Sequence, residues 1–318
     1  MTLSVLVALA VVLELAAGVG LAVMAGLSRV QQVLAQFDWA WLPVLCACLG
    51  LAFVGYFFAY RGVFTVEDGP LLSRSQLRAA AAAGFGGFLA HAGGNLDKYA
   101  LEAGGASEVD ARTRVLALAG LEYSVLSIGG SFTAIAMLVG GADVPLSFTV
   151  PWAVIPLPGF LAGFWAAERY RQRFPPGPGW RGVLGSLLKA VHLIRVLFTQ
   201  PGRWGYAWLG MAVFWIMEAL TVWAGLAAFG YWMNGADLFV GFATGTVFTR
   251  RTGPLAGAGI LTAVLPTAIW CCSAPFAVAL VGVFAYRVLA FWLPMPVSLA
   301  ALPTLRRMNA ATHERVPG

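Results

Sequence analysis

Charged residues occur inside apolar segments of this chain, where ionised side chains are costly and usually have a function. Arg287 lies near the middle of one such segment, and Glu14, Glu122 and Glu218 each lie near the middle of another. An arginine at the bilayer centre costs about 2.5–3.5 kcal/mol on insertion scales, so Arg287 must find a polar partner. We predict that one of these glutamates is that partner. One interpretation is a structural ion pair. The other is a proton-coupled gate, because burial favours the protonated form of a carboxylate.

A second basic site, Arg250-Arg251, follows a short apolar run that begins at Gly235. A turn rich in glycine, proline and alanine comes next, and the following apolar run is broken by Pro266 and Pro275. This pattern predicts a broken helix, which a bilayer tolerates only in protein or beside a cavity and which tends to mark a transporter's binding site. Guanidinium groups there would bind a lipid phosphate. If the segment crosses the whole bilayer, the arginines instead mark the cytoplasmic surface.

A glycine-rich segment, 79–96, precedes another polar cluster. Its clustered glycines disfavour a continuous helix, so we predict that it enters the bilayer and returns. Asn95, Asp97 and Lys98 would bind a polar headgroup at a helix terminus, or form an ordinary interfacial cap. His91 would act as a pH-sensitive group or simply be hydrogen-bonded.

The composition places most of this chain in a membrane. Of its 318 residues, 60% are hydrophobic and 11% are charged, and the mean hydropathy is +0.80. An ordinary soluble domain is about 25% charged, and several apolar runs here exceed the roughly 18 residues of a spanning helix. The 12 tryptophans and 38 glycines agree with this interpretation, because tryptophan is enriched at membrane interfaces and glycine where membrane helices pack closely. We therefore predict an all-α polytopic membrane protein.

The net charge of +6 has a local origin. The segment 168–203 holds seven Lys and Arg residues and one acidic residue, which accounts for the whole excess. Because basic loops remain in the cytoplasm, we interpret this charge as a topology signal and not as a nucleic-acid site. Attraction of anionic headgroups is a second effect. Both termini are then cytoplasmic, in a cell inner membrane that the chain crosses several times.

Residues 183–200, within the basic segment, have one apolar face, and Lys189, His192 and Arg195 lie toward the other face. This periodicity predicts an amphipathic helix that lies on the inner membrane surface. We therefore expect His192 to take no part in a binding site.

Six full spans fit the charge distribution if both broken segments are re-entrant, and eight helices result if both cross. Five of the spans are 3–27, 39–60, 115–139, 146–167 and 204–229, and the sixth contains Arg287. Prolines at 151, 156 and 158 would kink the fourth span or delay its start. We predict a single domain over 1–303, whose halves 1–140 and 141–303 are inverted copies, followed by a basic cytoplasmic tail over 304–318.

Enzyme signatures are missing from the sequence. It contains no GxSxG, HExxH, P-loop or dinucleotide-binding fingerprint. Its cysteines form no CxxC pair and are expected to be small packing residues; they are Cys46, Cys48, Cys271 and Cys272. We therefore predict no metal site, no cofactor and no enzymatic activity, and active transport would need an ion gradient.

Two glycine motifs occupy corresponding places in the predicted halves. The first reads HAGGNLDKYAL over 91–101, and the second reads PLAGAG over 254–259, with Tyr286-Arg287 and a final WLP at 292–294. The chain is thereby similar to the lysylphosphatidylglycerol synthase transmembrane region, also called the flippase-like domain family. The motif glycines are Gly93, Gly94, Gly257 and Gly259. The chain differs from the family pattern at Thr262, where a glutamate is expected, at Tyr123, where arginine is common, and at Lys98, where arginine is usual.

The resemblance implies a stand-alone lipid translocase that matches the membrane part of enzymes that aminoacylate phosphatidylglycerol. We expect a flippase that moves an anionic phospholipid or a polyprenyl-phosphate-linked lipid between leaflets through a polar midplane cavity. Its partners would be membrane lipids with anionic headgroups. One alternative is a non-transporting module that presents lipid to a separate lipid-modifying enzyme, and another is a membrane-embedded transferase.

Two groups of residues would act in the expected mechanism. The residues that attract the phosphate at opposite entrances are Arg250, Arg251 and Lys98, with Asn95 and Asp97 beside the last. The gate at the midplane is formed by Arg287 with Glu218 or Glu122, and Glu14 is a further candidate for proton coupling.

Overall fold

The computed structural model of the protein describes residues 3–70, 72–85, 97, 98, 100–102, 104–141, 145–247 and 259–294, together with 296, 300 and 303. These residues form helices and turns without a strand, in agreement with the predicted all-α class. The α-helices are α1 (Leu3–Ala25), α2 (Leu27–Leu34), α3 (Leu42–Thr65), α4 (Arg74–Phe85), α5 (Glu108–Gly140), α6 (Leu146–Val154), α7 (Pro156–Tyr170), α8 (Gly179–Thr199), α9 (Pro201–Ala228), α10 (Gly235–Val247), α11 (Ile260–Cys271) and α12 (Phe276–Arg287). A π-helical turn, Val288–Trp292, follows α12.

Six helical segments of the described chain are long and apolar enough to cross a membrane. They are Ala8–Ala25, Trp39–Thr65, Glu108–Gly140, Leu146–Tyr170, Gly179–Thr199 and Pro201–Ala228. The number equals the predicted number of spans, but the set differs. Helix α8, predicted as a surface helix, qualifies by length and composition, whereas the segment around Arg287 is a shorter apolar helix, Phe276–Ala290. The exact span count and the inverted repeats therefore stay predictions.

The predicted proline interruption occurs between α6 and α7. A helix that continued through this point would need a hydrogen bond from residue 156 to the carbonyl of Trp152, and Pro156 has no N–H to donate. Ser131 Oγ on α5 donates to that carbonyl instead, at 2.7 Å. The Trp152 indole in turn donates to Thr244 Oγ1 on α10 at 2.9 Å. The break is thus compensated by side chains from neighbouring helices.

The chain divides into two compact units. Unit 1 comprises Met1–Leu51, Leu126–Pro156 and Ile216–Leu293, and unit 2 comprises Ala52–Val125, Leu157–Trp215 and Pro294–Gly318. In unit 1, the short helices α10 and α11 pack on each other, and α1 and α12 both pack on α11. In unit 2, buried aromatic side chains form much of the core, among them Tyr56, Phe64 and Phe214.

The packing of α10 against α11 depends on two glycines one helical turn apart. A Cβ atom at Gly241 would lie 3.1 Å from Ile269 Cδ1, and one at Gly245 would lie 2.7 Å from the Cα of Leu265. This GxxxG spacing puts both glycines on one face, which lets membrane helices approach closely. The pair of short helices is therefore tightly fitted, and α11 is held in place by α10.

We expect Gly245→Val to lower the free energy of unfolding by about 1–3 kcal/mol, because the new side chain must push against the backbone of α11. Thermal unfolding of the purified protein in detergent measures the effect. Gly50→Val is the matched control, since a Cβ there meets nothing within 4 Å. Both substitutions replace a glycine within a helix by valine, so the effect on helix propensity is similar. Equal stability of the two variants would show that α10 and α11 are not closely packed.

Candidate functional site

The buried arginine of α12 pairs with a carboxylate from the first helix of the chain. Arg287 Nε donates to Glu14 Oε1 at 2.8 Å, and Nη2 donates to the same oxygen. Both side chains are almost completely buried, with Glu14 3% and Arg287 5% exposed. Of the three glutamates predicted as candidates, Glu14 is therefore the one that pairs with Arg287 in this structure.

The second oxygen of Glu14 lies at the N-terminus of α11. Glu14 Oε2 accepts a hydrogen bond from the backbone N–H of Gly259 at 3.2 Å and another from the hydroxyl of Thr262. The first N–H groups of a helix have no partner within the helix, and the helix dipole favours negative charge there. The carboxylate thus lies between a guanidinium and a helix N-terminus, two groups that also bind phosphate.

Gly259 allows α11 to start beside α1. Its φ of 77° lies in the left-handed region, which glycine adopts at little cost. A Cβ atom there would also lie 3.0 Å from the carbonyl oxygen of Leu13, the residue before Glu14. The motif glycine predicted from sequence therefore brings the backbone of α11 within hydrogen-bonding distance of the Glu14 side chain.

Thr262 takes a role that the sequence pattern did not reveal. The family that the chain resembles has a glutamate at this position, whereas here the Thr262 hydroxyl donates to a glutamate from another helix. The carboxylate at the start of α11 is therefore supplied by Glu14 of α1. The apolar surroundings of Glu14 in the sequence indicated its depth, but not this contact.

Glu218 occupies a neighbouring position in unit 1. Its Oε2 accepts a hydrogen bond from the hydroxyl of Tyr286, the residue before Arg287, at 2.5 Å. Helices α9 and α12 approach closely at a pair of glycines. A Cβ at Gly225 would lie 2.8 Å from the carbonyl oxygen of Gly282, and this close approach allows the contact between Tyr286 and Glu218. The Tyr286–Glu218 bond therefore joins α9 to the helix that carries Arg287.

The remaining predicted gate residue, Glu122, lies in unit 2 and is also buried. Its backbone carbonyl accepts the indole N–H of Trp215 at 2.7 Å. Lys98 pairs with Glu108 at 2.6 Å and lies 3.7 Å from Glu102. Asp97 accepts a hydrogen bond from the buried Tyr60 hydroxyl. The side chains of Lys98 and Asp97 therefore have partners within the protein, and any contact with a headgroup would compete with those partners.

Several predicted residues lie outside the part of the chain that the structure describes. They are His91, Gly93, Gly94, Asn95, Arg250, Arg251 and Gly257. Their predicted roles, and the choice between a re-entrant and a spanning path for these segments, stay predictions.

One buried arginine of unit 2 was not predicted from the sequence. Arg114 is 2% exposed, and its Nη1 donates to the carbonyl oxygens of Val63, Phe64 and Val66 at 3.1, 3.2 and 2.8 Å. Its Nε donates to Asp110 at 2.7 Å. The guanidinium thus satisfies carbonyls at the C-terminal end of α3, which a helix leaves without partners. The spacing of Asp110 and Arg114, four residues apart in a helix, was the available signal.

The prediction for His192 was wrong in one respect. We expected this residue on the polar face of a surface helix, but it is buried, and its Nε2 lies 2.9 Å from Glu67 Oε1. The other members of that face also have partners: Lys189 lies 3.1 Å from Asp110, and Arg195 pairs with Glu168. The polar face of α8 therefore contacts acidic side chains of the protein.

Comparisons with protein-family models and with curated proteins find no match for this chain. The resemblance described above therefore depends on the two motifs alone.

We expect Thr262→Val to lower the free energy of unfolding by about 1–3 kcal/mol, because the buried Glu14 carboxylate loses a hydrogen-bond donor while the side chain keeps its shape. Thr267→Val is the matched control on the same helix, since Thr267 is exposed and its hydroxyl contacts only the carbonyl of Ala263 among the described contacts. The control should change stability by less than about 0.5 kcal/mol. Thermal unfolding in detergent tests both, and equal effects would argue against a Thr262–Glu14 bond.

Proposed function

We propose that this protein is a lipid flippase that moves the headgroup of an anionic lipid between leaflets. The substrate class is an anionic phospholipid or a polyprenyl-phosphate-linked lipid. The observation that supports the proposal is the binding of the Glu14 carboxylate by Arg287, the Gly259 N–H and the Thr262 hydroxyl. This set of donors, buried among apolar helices, suits a phosphate group as well as a carboxylate.

Glu14 would act as the resident anion of this site. Separating a buried arginine from its carboxylate leaves an uncompensated charge and costs about 3–5 kcal/mol. The Arg287–Glu14 pair would therefore open only when another anion takes the place of the carboxylate. A lipid phosphate meets this condition, because its oxygens can accept from the guanidinium and from the start of α11.

The displaced carboxylate provides a way to couple transport to protons. Once Glu14 leaves Arg287 it is a buried anion without a cation, and the binding of a proton would neutralise this charge. Return of Glu14 to Arg287 would release both the proton and the phosphate. Glu218 and Glu122 are the other candidates for this coupling. Glu218 accepts a hydrogen bond from Tyr286, which immediately precedes Arg287 in the sequence.

The lipid would reach this site from either leaflet. Lys98 with Asn95 and Asp97 would attract the headgroup at one entrance, and Arg250 and Arg251 at the other. A polar midplane cavity would carry the headgroup while the acyl chains stay in the bilayer. The proposed location is a cell inner membrane, with both termini in the cytoplasm.

Headgroup translocation in proteoliposomes tests the proposal. Fluorescent phosphatidylglycerol, aminoacyl-phosphatidylglycerol and a polyprenyl phosphate would be compared for wild type, Arg287→Met and the control Arg29→Met, whose arginine is exposed on α2. We expect wild type and the control to move at least one lipid, and folded Arg287→Met to match protein-free liposomes. Wild-type protein that binds a lipid without moving it would replace the flippase with the lipid-presenting module, and equal transport by Arg287→Met would remove Arg287 from the mechanism.

A further inference from the structure

A groove of about 350 Å³ lies in unit 1 between α9 and the start of α10. Its floor is formed by Ala219, Met233 and Leu238, which are all buried. Its rim includes Ile216 and Leu220, whose side chains remain exposed. The side chains of this groove are apolar, and the rim belongs to Pro201–Ala228, one of the six segments suited to cross a membrane. If that segment crosses the membrane, the groove would face hydrocarbon.

Tryptophans close one end of the groove. Trp223 lines it, and its indole N–H donates to the carbonyl of Met233 at 3.0 Å, which fixes the ring. The same ring has its centroid 5.7 Å from that of Trp41 and 5.2 Å from that of Trp232. Tryptophan clusters lie at the headgroup level of a membrane, where one edge of the ring is wet. The tryptophan cluster thus favours a groove whose Trp223 end lies at the membrane interface and whose Ile216 end lies deeper.

The dimensions of the groove fit a thin chain. Seven residues separate Ile216 from Trp223, which is about 10 Å along a helix. A helix of that length, with a diameter of about 10–12 Å, has a volume of about 800–1,100 Å³. This volume exceeds the roughly 700 Å³ of space that protein atoms leave open at the groove. A single hydrocarbon chain that enters at the headgroup level and runs inward has the right thickness and direction.

We propose that this groove binds one acyl chain of a membrane lipid. Helix α9 then has two functions on different faces. Residues 216, 219, 220 and 223 line the groove, whereas Glu218 contacts Tyr286 beside Arg287. A lipid held in the groove would have its headgroup near the tryptophan end. Occupancy of the groove is independent of transport, whereas its use in presenting cargo rests on the proposed function.

The test uses a phosphatidylglycerol with a photoactivatable diazirine in the middle of one acyl chain, at low mole fraction in vesicles that contain the full-length protein. Mass spectrometry of the cross-linked peptides maps the label. We expect labelling of α9 and α10 at the groove to exceed, several-fold, that of apolar residues outside it that are even more exposed, such as Val12 and Leu161. Uniform labelling of all exposed apolar faces would overturn the proposal.

Gly235→Leu tests the site by filling it. Gly235 lines the groove, a Cβ there meets nothing within 4 Å, and the change leaves the backbone room to fold. We expect groove labelling to fall several-fold in Gly235→Leu and to stay unchanged in Gly50→Leu, whose Cβ is equally unobstructed but lies outside the groove. Unchanged labelling in folded Gly235→Leu, or saturation of the groove by a second copy of the protein, would also contradict the proposal.

Transport measured on the same preparations separates the two proposals. Groove labelling without transport by wild type would support the acyl-chain site and contradict the flippase. Transport by wild type, together with uniform labelling of all exposed apolar faces, would support the flippase and contradict the acyl-chain site.

Discussion

Arg287→Met is expected to lower the free energy of unfolding by about 3–5 kcal/mol, because it leaves the Glu14 carboxylate buried without its cation. Methionine keeps much of the length and volume of the side chain, so the change tests charge and hydrogen bonding more than packing. The loss is measured by thermal unfolding in detergent at a fixed pH. A loss below about 1 kcal/mol would mean that the pair is solvated or readily replaced.

The double variant Glu14→Gln/Arg287→Met should recover a substantial part of that stability. The glutamine keeps one oxygen for the Gly259 N–H and the Thr262 hydroxyl but carries no charge that needs Arg287. Contacting residues with a real interaction give a coupling of about 0.5–3 kcal/mol in such a cycle. Additive single effects would contradict a direct Glu14–Arg287 pair.

The same double variant separates structure from function. A purely structural ion pair predicts that transport returns together with stability. A phosphate site predicts that the double variant stays folded and still fails to move lipid, because no guanidinium remains to bind the headgroup. Translocation in the double variant is therefore the measurement that distinguishes a register-fixing pair from a substrate site.

Arg114→Met in unit 2 should be about as destabilising, with a loss of about 3–5 kcal/mol. Each carbonyl that loses a charged donor in a buried site costs about 1–3 kcal/mol, and Arg114 serves three of them at the end of α3. Asp110 would also lose the partner at 2.7 Å. The measurement is thermal unfolding, with Arg112→Met as the control, since Arg112 is exposed on the same helix.

The loop that follows α3 would show the loss locally. Glu67 and Asp68 both have positive φ, at 49° and 57°, a region that few residues other than glycine adopt without cost. Arg114 holds the carbonyls before this turn, so hydrogen exchange of residues 63–68 should rise in Arg114→Met. Unchanged exchange there, combined with lost stability, would place the effect of the substitution elsewhere in unit 2.

The sequence indicated which residues lie deep within apolar helices, but it did not indicate which neighbouring helix each side chain contacts. The length of the apolar runs predicted membrane-suited helices, and the prolines near 156 predicted the break between α6 and α7. Glu14, Glu122 and Glu218 all lie at similar depth in such runs, so depth alone cannot select the partner of Arg287. The choice depends on which helices pack on α12, and α1 does so in unit 1.

Helix α8 shows a related limit. Its periodicity correctly indicated a polar face, but periodicity does not say what that face contacts. Lys189, His192 and Arg195 recur every third residue and meet Asp110, Glu67 and Glu168 respectively. These acids lie far away in the sequence, so no local pattern joins them to α8, and water was the simpler expectation.

The position of Glu14 also bears on how the chain is made. Glu14 and Arg287 are 273 residues apart, so the carboxylate of the first helix enters the membrane long before its cation exists. At a synthesis rate of about 5–20 residues per second, the delay is roughly 14–55 s. During this interval α1 holds an acidic group within an apolar run, and a nascent chain that stops before α12 never supplies the arginine. The ion pair can therefore form only after translation has passed through α12, which makes it a late step in the assembly of unit 1.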